Sequence, residues 1–259
     1  MEDIIMTKLS QADIMSVKGK GFLRNRGTEL FSGRVIAPGT VFTAENFKDL
    51  SFIASEYGNG KLICTSRQAV EIPGIAFEDI PKAIAYAETH SLSFGGTGNK
   101  VRPVTACKGT TCVFGSFDTQ ALATEIHNKY YVGWKGVVLP HKFKISVGGC
   151  PNSCIKPSLN DFGIEGNRVP GKVMYRIYVG GTWGKHTRMG TPLSRLVDAE
   201  DVLPILEKSM LWFRENGYAK ERFGMTIDRV GFDKLEKALF SDELIERKAE
   251  ILEADIKTR

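Results

Sequence analysis

Four of the five cysteines in this sequence form two closely spaced pairs. Four residues separate Cys107 from Cys112, and three separate Cys150 from Cys154. Four thiolates at such spacings suit either a tetrahedral zinc site or a cubane iron–sulfur cluster. Apolar and aromatic neighbours flank both pairs, and low-polarity surroundings tune a redox cluster, so iron and sulfur are favoured over zinc and over unliganded core cysteines. Cys64 stands apart and is expected to be a small buried hydrophobic residue.

Basic residues precede both cysteine pairs on predicted strands. Arg102 comes before the first pair, and Lys142 and Lys144 come before the second. Residues two apart on a strand share a face, so both lysines should lie on one face while Phe143 packs inward. The same alternation points His141 away from the lysine face. A solvated edge would explain any single lysine, but the grouping beside metal ligands predicts a pocket for a small anion or a multiply carboxylated cofactor.

The elements that position these residues follow an α+β pattern. Thr43 is a predicted N-cap for a helix to about residue 57, followed by strands near 61–65 and 69–72, with Pro73 and Gly74 ending the second. A further helix is predicted over 78–90. This β-α-β-β-α order predicts a ferredoxin-like half-domain over residues 1–95, with the glycine-rich stretch at 94–98 as its boundary.

The remaining residues, 96–259, are predicted to form a mixed α/β domain with a helical C-terminus. Strands near 101–106 and 142–147 deliver Cys107 and Cys150, and a helix near 117–130 lies between them. His127 on that helix is expected at the surface. The other predicted elements are strands near 161–165 and 172–179 and helices near 198–216 and 233–255.

Composition excludes several functional classes. The 259 residues carry a formal net charge of +5, which is too mild to indicate a nucleic-acid partner. No apolar run approaches the roughly 20 residues that span a bilayer, and we expect no signal peptide at residues 1–10. Paired cysteines of this kind fit a reducing compartment, so the protein is expected to be cytoplasmic. The glycine-rich segments lack the spacing of a nucleotide-binding loop.

Residues 105–112 (TACKGTTC) and 139–154 (LPHKFKISVGGCPNSC) resemble the sirohaem and [4Fe–4S] sulfite and nitrite reductases, and most of all the small single-module assimilatory-type and anaerobic sulfite reductases. Residues 58–68 are similar to the ferredoxin-like half-domain of that family. Larger members commonly have five residues within the first cysteine pair, whereas the small enzymes are similar to this sequence there. Larger members also carry two copies of the module, and this chain carries one, which raises the question of self-association.

The resemblance implies that the four paired cysteines ligate a [4Fe–4S] cluster and that Cys154 also bridges to the sirohaem iron. It assigns anion binding to two arginines and two lysines, which are Arg34, Arg102, Lys142 and Lys144. It also implies contacts to the cofactors, with Arg67 holding sirohaem carboxylates. The further candidates for these contacts are Gln68, Lys108, Thr110, Thr111, Asn152 and Lys156.

The implied activity is the six-electron reduction of sulfite to sulfide. Sirohaem carries eight carboxylates, which would account for a locally concentrated positive charge. The arginines would bind the anion, and the lysines would also supply protons, because burial and neighbouring cations lower a lysine pKa. The sequence shows no flavin motif or additional ferredoxin insert, so electrons should come from an external donor such as ferredoxin or a reductase subunit. The alternatives are nitrite reduction to ammonia at the same site and a non-catalytic iron–sulfur or zinc protein.

Overall fold

The computed structural model describes residues 9–258, and these divide into two compact units. The first unit runs to Gly98 but omits Pro38–Thr40, and the second contains those three residues and everything from Asn99 onward. The change of unit thus falls near residue 98, while the predicted domain boundary at 95 stays a prediction. The expectation of no signal peptide rests largely on residues 1–8, which lie outside the described residues. Within residues 9–258, no helix is long and apolar enough to cross a membrane.

The first unit is an antiparallel sheet with two principal helices. Its elements are α1 (Gln11–Lys18), β1 (Phe22–Arg24), β2 (Phe31–Ile36), α2 (Ala44–Glu56), β3 (Ile63–Cys64), β4 (Val70–Ile75), α3 (Ile80–Thr89) and β5 (Ser93–Phe94). The main path is β1-β2-β4-β3, and β5 pairs with the end of β2. The order β2-α2-β3-β4-α3-β5 is that of a ferredoxin-like layer, so the predicted half-domain is confirmed.

Local sequence explains most of this unit. Thr43 caps α2 as predicted, because its hydroxyl accepts the Asn46 N–H at 3.1 Å and the Asn46 side chain accepts the Thr43 N–H at 3.0 Å. The predicted end of β4 at Pro73 is wrong, since the strand continues to Ile75. Phe31 pairs with Ile75 and Gly33 pairs with Ile72, so β4 contains one extra residue at a bulge and continues past Pro73.

Cys64 is exposed, so the expectation of a buried residue is wrong. β3 has two residues, and within residues 9–258 it pairs with β4 alone and forms an edge of the sheet. Its other residue, Ile63, is exposed as well. The sequence pattern predicts that this extended, apolar segment lies in the interior, whereas in the structure it lies at a sheet edge.

The second unit is built on a mixed sheet with helices packed against it. Its elements are β6 (Thr105–Ala106), α4 (Thr119–Ile126), β7 (Ile145–Gly148), β8 (Phe162–Val169), β9 (Lys172–Val179), β10 (Thr191–Pro192), α5 (Ala199–Asn216), α6 (Phe223–Val230), α7 (Phe232–Leu239), α8 (Glu243–Glu246) and α9 (Lys248–Glu253). The strand order is β10-β9-β8-β7-β6. Strands β6, β7 and β8 are parallel, and β8, β9 and β10 are antiparallel. The predicted mixed α/β architecture is confirmed.

The central strands of this sheet are covered on both faces. All four residues of β7 are buried, as expected for a parallel strand with helices on either side. Just before β7, Phe143 is fully buried while Lys142 and Lys144 are half-buried, which confirms the predicted alternation. Core residues of α4 and α5 pack in the same hydrophobic cluster as Phe143.

Two helical predictions need correction. The helix predicted over 233–255 is three short helices, α7, α8 and α9, because the chain turns at residues 240–242 and again at Arg247. His127, expected at the surface, is buried at 4% exposure and opens a π-helix, His127–Val132, that follows α4. His127 lies four residues after buried Ala123 and three before buried Tyr130, so it belongs to the buried face of the helix.

Candidate functional site

The parallel strands give the second unit two chemically different edges. Amino ends of parallel strands meet at one edge of a sheet and carboxyl ends at the other. Ala106, at the end of β6, pairs with Val147 near the end of β7. The two cysteine pairs therefore leave neighbouring strands at the same edge. We call residues 107–112 and 150–154 the cysteine loops.

Hydrogen bonds hold the first cysteine loop against the residues that lead into the second. The Cys107 N–H donates to the Val147 carbonyl at 3.0 Å, and the Gly149 N–H donates to the Cys107 sulfur at 3.2 Å. The Ser116 N–H donates to the Gly149 carbonyl at 2.9 Å, which joins the segment after the first loop to the residue before the second. Cys107, Cys112 and Cys150 are half-buried and Cys154 is exposed. These contacts place the beginnings of the two loops side by side at one edge of the sheet.

Glycine is required where the loops come closest. A Cβ at Gly149 would lie 3.3 Å from the Cys107 sulfur, and a Cβ at Gly115 would lie 2.0 Å from the Gly109 carbonyl oxygen. Gly109 itself has a φ of 54° and packs against Thr119, whose hydroxyl donates to the Cys107 carbonyl at 2.6 Å. The first loop is thus held tightly from Cys107 to Gly115.

The donor chemistry of these loops fits an iron–sulfur cluster. Thiolates are the ligands that such clusters use, and two loops at one sheet edge supply four of them. Within the described part of the chain, no three Cys, His, Asp or Glu side chains converge as a preformed metal-binding group. A cavity of about 330 Å³ adjoins the loops, and its walls include Cys150, Asn152 and Arg168. The loops therefore offer the right donors and space beside them.

The anion-binding candidates of this unit, Arg102, Lys142 and Lys144, lie at the opposite edge. The Arg102 N–H donates to the Phe143 carbonyl at 2.8 Å, which aligns Arg102 with the segment that carries Lys142 and Lys144. The Lys144 N–H donates to Asp161 at 2.9 Å, and Asp161 also accepts the Arg222 guanidinium at 2.8 and 2.9 Å. We call Arg102, Lys142, Lys144 and Arg222 the cation cluster.

The charges of this cluster act on one another. Burial, followed by the positive charges of Arg222 and Arg102, lowers the pKa of Lys142. Burial and the cations Arg222, Lys142 and Arg102 lower the pKa of His141 to about 4, so the imidazole is neutral at pH 7. The His141 Nδ1 accepts the Lys142 N–H at 2.8 Å. His141 thus adjoins the cation cluster, contrary to the alternation argument, because residues 141 and 142 precede the regular strand.

Sequence reasoning missed Asp161 and Arg222. Asp161 is fully buried and comes directly before β8, so the shared amino edge of parallel strands could have placed it beside Lys144. Arg222 comes far later in the chain, just before α6, and no spacing connects it with the lysines. Its Nε is buried and has no hydrogen-bond partner among the described residues.

Strand β7 separates the two edges. Its four residues span about 13 Å at roughly 3.3 Å per residue, and the residues on either side add to that length. The structure therefore brings together Arg102, Lys142 and Lys144, and separately Cys107 and Cys150. It does not bring the first group to the second within one copy of this unit.

The first unit carries three of the predicted site residues. Arg34 is half-buried, and its guanidinium donates to Glu71 at 2.6 and 2.9 Å and to the Gly96 carbonyl at 3.0 Å. Arg67 and Gln68 lie in the turn between β3 and β4, where the Gln68 N–H donates to the Thr65 carbonyl at 3.0 Å and Gln68 has a φ of 56°. An anion at Arg34 would compete with Glu71 for the guanidinium.

The remaining candidates lie on or next to the cysteine loops. Lys108, Thr110 and Thr111 are exposed, and the Thr111 hydroxyl donates to the Lys108 carbonyl at 2.8 Å. Asn152 and Lys156 are exposed beside Cys154, and Lys156 has a φ of 52°. Their roles toward a cofactor stay predictions.

Comparison with known proteins shows which protein families this chain resembles. Residues 97–248 match the nitrite and sulphite reductase 4Fe-4S domain, and residues 24–89 match the nitrite/sulfite reductase ferredoxin-like half domain. The chain is 28% identical over 206 residues to a nitrite reductase [NAD(P)H] of Bacillus subtilis, covering 79% of this chain and 24% of that protein. It is 29% identical over 140 residues to an assimilatory-type sulfite reductase of Nitratidesulfovibrio vulgaris, covering 54% of this chain and 61% of that protein.

A solved structure supports the fold. The Mycobacterium tuberculosis NirA protein superposes with a TM-score of 0.78 at 20% identity, covering 96% of this chain and 48% of that chain. The chain spans less than two thirds of the length of each of these proteins. The matches confirm the predicted resemblance and the predicted cofactors, a [4Fe–4S] cluster and sirohaem. This chain belongs to the family of the nitrite and sulphite reductase 4Fe-4S domain.

Proposed function

We propose that this protein is a sirohaem-dependent sulfite reductase that reduces sulfite to sulfide with electrons from an external donor. The observation that carries the proposal is the meeting of two cysteine loops at the carboxyl edge of β6 and β7, within a domain of the sulfite and nitrite reductase family. Sulfite is the substrate that we propose because the chain matches an assimilatory-type sulfite reductase over 61% of that protein, and nitrite is the alternative substrate at the same site.

The cysteine loops would hold the cofactors. Cys107, Cys112, Cys150 and Cys154 would ligate the [4Fe–4S] cluster, and Cys154, the exposed member, would also reach the sirohaem iron. When bound, the two cofactors supply one-electron transfer to the substrate. Asn152 and Arg168 border the adjoining cavity, where an amide and a guanidinium can donate hydrogen bonds to carboxylates.

The cation cluster would bind the substrate anion. Arg102 supplies a fixed positive charge, and the lysines supply charge together with protons. Lys142 is suited to proton release because its pKa is lowered by burial and by the neighbouring arginines. Breaking each sulfur–oxygen bond requires protons on the departing oxygen, so groups that bind the anion and give up a proton serve both needs.

Side-by-side assays of the purified, coloured protein test this proposal. We expect the visible spectrum to show sirohaem bands, elemental analysis to find iron, and reduced methyl viologen to be oxidised when sulfite is added. Nitrite is assayed in parallel at matched concentrations. A higher kcat/KM for nitrite than for sulfite would make the protein a nitrite reductase. A colourless protein that contains zinc and oxidises no viologen would reject both activities and leave a structural role for the cysteines.

A further inference from the structure

We propose that the hydroxyl groups of Ser116 and Thr119 form a clamp that holds the Gly149 N–H on the Cys107 sulfur and thereby sets the reduction potential of the [4Fe–4S] cluster. The proposal rests on the function proposed above, because it concerns the cluster that supplies electrons to that reaction. Ser116 and Thr119 are positioning residues in this proposal, since they act on the cluster through Gly149 and Cys107. We call these two residues the hydroxyl clamp.

The hydrogen bond to the Cys107 sulfur is the first observation. The Gly149 N–H donates to this sulfur at 3.2 Å. Hydrogen bonds to the sulfur ligands are one of the factors that set the potential of an iron–sulfur cluster. A donor at the sulfur stabilises the added negative charge of the reduced cluster, so the hydrogen bond raises the reduction potential. A Cβ at Gly149 would crowd both the Cys107 sulfur and the Thr119 methyl group at 3.3 Å, so glycine suits this close approach.

The Thr119 hydroxyl holds the sulfur side of this hydrogen bond. Thr119 is fully buried, its hydroxyl donates to the Cys107 carbonyl at 2.6 Å, and its oxygen lies 3.8 Å from the Cys107 sulfur. Thr119 is also the first residue of α4. Asp118 fixes this start of the helix, because its carboxylate accepts the N–H groups of Gln120 and Ala121 at 3.1 and 3.0 Å. The capped end of a helix therefore keeps Cys107 in place.

Ser116 holds the donor side of the same hydrogen bond. Its N–H and its hydroxyl both donate to the Gly149 carbonyl, at 2.9 and 2.5 Å. Two donors on one carbonyl restrict the orientation of the Gly149 backbone. Gly166 leaves room for this contact, because a Cβ there would lie 2.4 Å from the Ser116 hydroxyl oxygen. The hydroxyl clamp thus constrains both partners of the N–H···S hydrogen bond.

Burial makes the clamp sensitive to substitution. Thr119 is 0% exposed, so water does not replace its hydroxyl once the hydroxyl is removed. The Cys107 carbonyl would then lose a donor in a buried environment, and the loop would shift to recover one. Such a shift lengthens the hydrogen bond from Gly149 to the Cys107 sulfur. The expected consequence is a cluster that is harder to reduce.

Redox titration of the holoprotein tests the proposal. Thr119→Val keeps the branched shape of the side chain and removes the hydroxyl, whereas Thr119→Ser keeps the hydroxyl. We follow the reduction of the cluster by electron paramagnetic resonance and measure iron and acid-labile sulfide per chain. We expect a more negative midpoint potential in Thr119→Val than in the wild type, and a potential close to that of the wild type in Thr119→Ser.

A second threonine of α4 provides the matched control. Thr124 is half-buried, and its hydroxyl donates to the Gln120 carbonyl at 2.8 Å. Thr124→Val therefore removes the same kind of hydrogen bond from the same helix without touching Cys107, and it should keep the wild-type potential. A wild-type potential in Thr119→Val at full iron content would overturn the proposal. A potential in Thr119→Ser as low as that in Thr119→Val would also overturn it, because the methyl group would then cause the effect.

Ser116→Ala decides the proposal if Thr119→Val fails to bind a cluster. This variant loses the hydroxyl of Ser116 and keeps its backbone N–H on the Gly149 carbonyl, so we expect a lowered potential with the cluster still bound. A wild-type potential in Ser116→Ala would overturn the proposal.

This proposal and the proposed function fail in different ways. The redox titration contains neither sulfite nor nitrite, so its result does not depend on which anion the protein reduces. If the wild type binds the cluster and reduces neither anion, the proposed function fails, and the potentials of the variants still decide whether the clamp exists. A wild-type protein that binds zinc and no iron would overturn both proposals.

Discussion

At the scale of single residues, Lys142 is the side chain whose environment most resembles that of a proton donor. It is half-buried, and the charges of Arg102 and Arg222 lower its pKa. Replacing it by alanine should leave both cofactors bound, because the cysteine loops lie at the other edge of the sheet. We expect Lys142→Ala to lower kcat for sulfite by about 100-fold or more, the range typical of a lost general acid. Steady-state assays and the visible spectrum measure the two effects.

The pH dependence of activity distinguishes a lysine that supplies a proton from a lysine that contributes only positive charge. Activity that needs protonated Lys142 is present at low pH and is lost as pH rises through the lowered pKa, below the range of an ordinary lysine. Arg102→Gln removes one of the positive charges that lower the pKa of Lys142. The loss of activity at alkaline pH should therefore occur at a higher pH in this variant than in the wild type. Lys135 is an exposed lysine outside the cation cluster and the cysteine loops, so Lys135→Ala is the control and should keep the wild-type pH profile. A wild-type pH profile in Arg102→Gln would contradict the role of Arg102 in setting this pKa.

The buried pair of Asp161 and Arg222 should matter for stability as well as charge. Asp161 is fully buried and accepts three hydrogen bonds, two from Arg222 and one from the Lys144 N–H. Removing one partner leaves an uncompensated buried charge, so Arg222→Leu should lower the free energy of unfolding by about 3–5 kcal/mol. Urea denaturation measures this loss.

The exposed ion pair of Lys172 and Asp198 is the control for the buried pair of Asp161 and Arg222. Lys172 and Asp198 are 53% and 41% exposed, so Lys172→Ala should cost about 1 kcal/mol or less. The double variant Asp161→Asn, Arg222→Leu removes both charges and should recover part of the lost stability. If Arg222→Leu and Lys172→Ala lowered the free energy of unfolding equally, the buried pair would contribute no more to stability than the exposed pair.

At the scale of elements, the sequence predicts the structure correctly where neighbouring residues determine it. The cap at Thr43, the alternation around Phe143 and the strands that deliver Cys107 and Cys150 all follow from neighbouring residues. The pairing register of a strand and its position at a sheet edge depend on residues far away in the sequence. The predictions of a buried Cys64 and of a strand end at Pro73 are wrong for this reason. The pairing of Arg222 with Asp161 depends on packing across 61 positions of chain, and no local pattern encodes that contact.

The first cysteine loop offers a sharp test of element geometry. A Cβ at Gly115 would lie 2.0 Å from the Gly109 carbonyl oxygen, and both are backbone positions that cannot move aside cheaply. Gly115→Ala should therefore distort the loop that carries Cys107 and Cys112 and lower the iron and acid-labile sulfide bound per chain several-fold. Gly136→Ala is the matched control, because a Cβ there would meet nothing within 4 Å. Wild-type iron content in Gly115→Ala would show that the loop tolerates the clash.

At the scale of the whole molecule, the cation cluster and the cysteine loops lie at opposite edges of one sheet in the second unit, because they precede and follow the same parallel strands. The direction of β6 and β7 therefore determines which edge carries the thiols and which edge carries the basic side chains. A change that disturbs the pairing of these two strands would alter both edges together, whereas a change within one loop would alter one edge. The variants at Lys142 and Gly115 test the two edges separately, since one should change turnover with the cofactors bound and the other should change the bound iron.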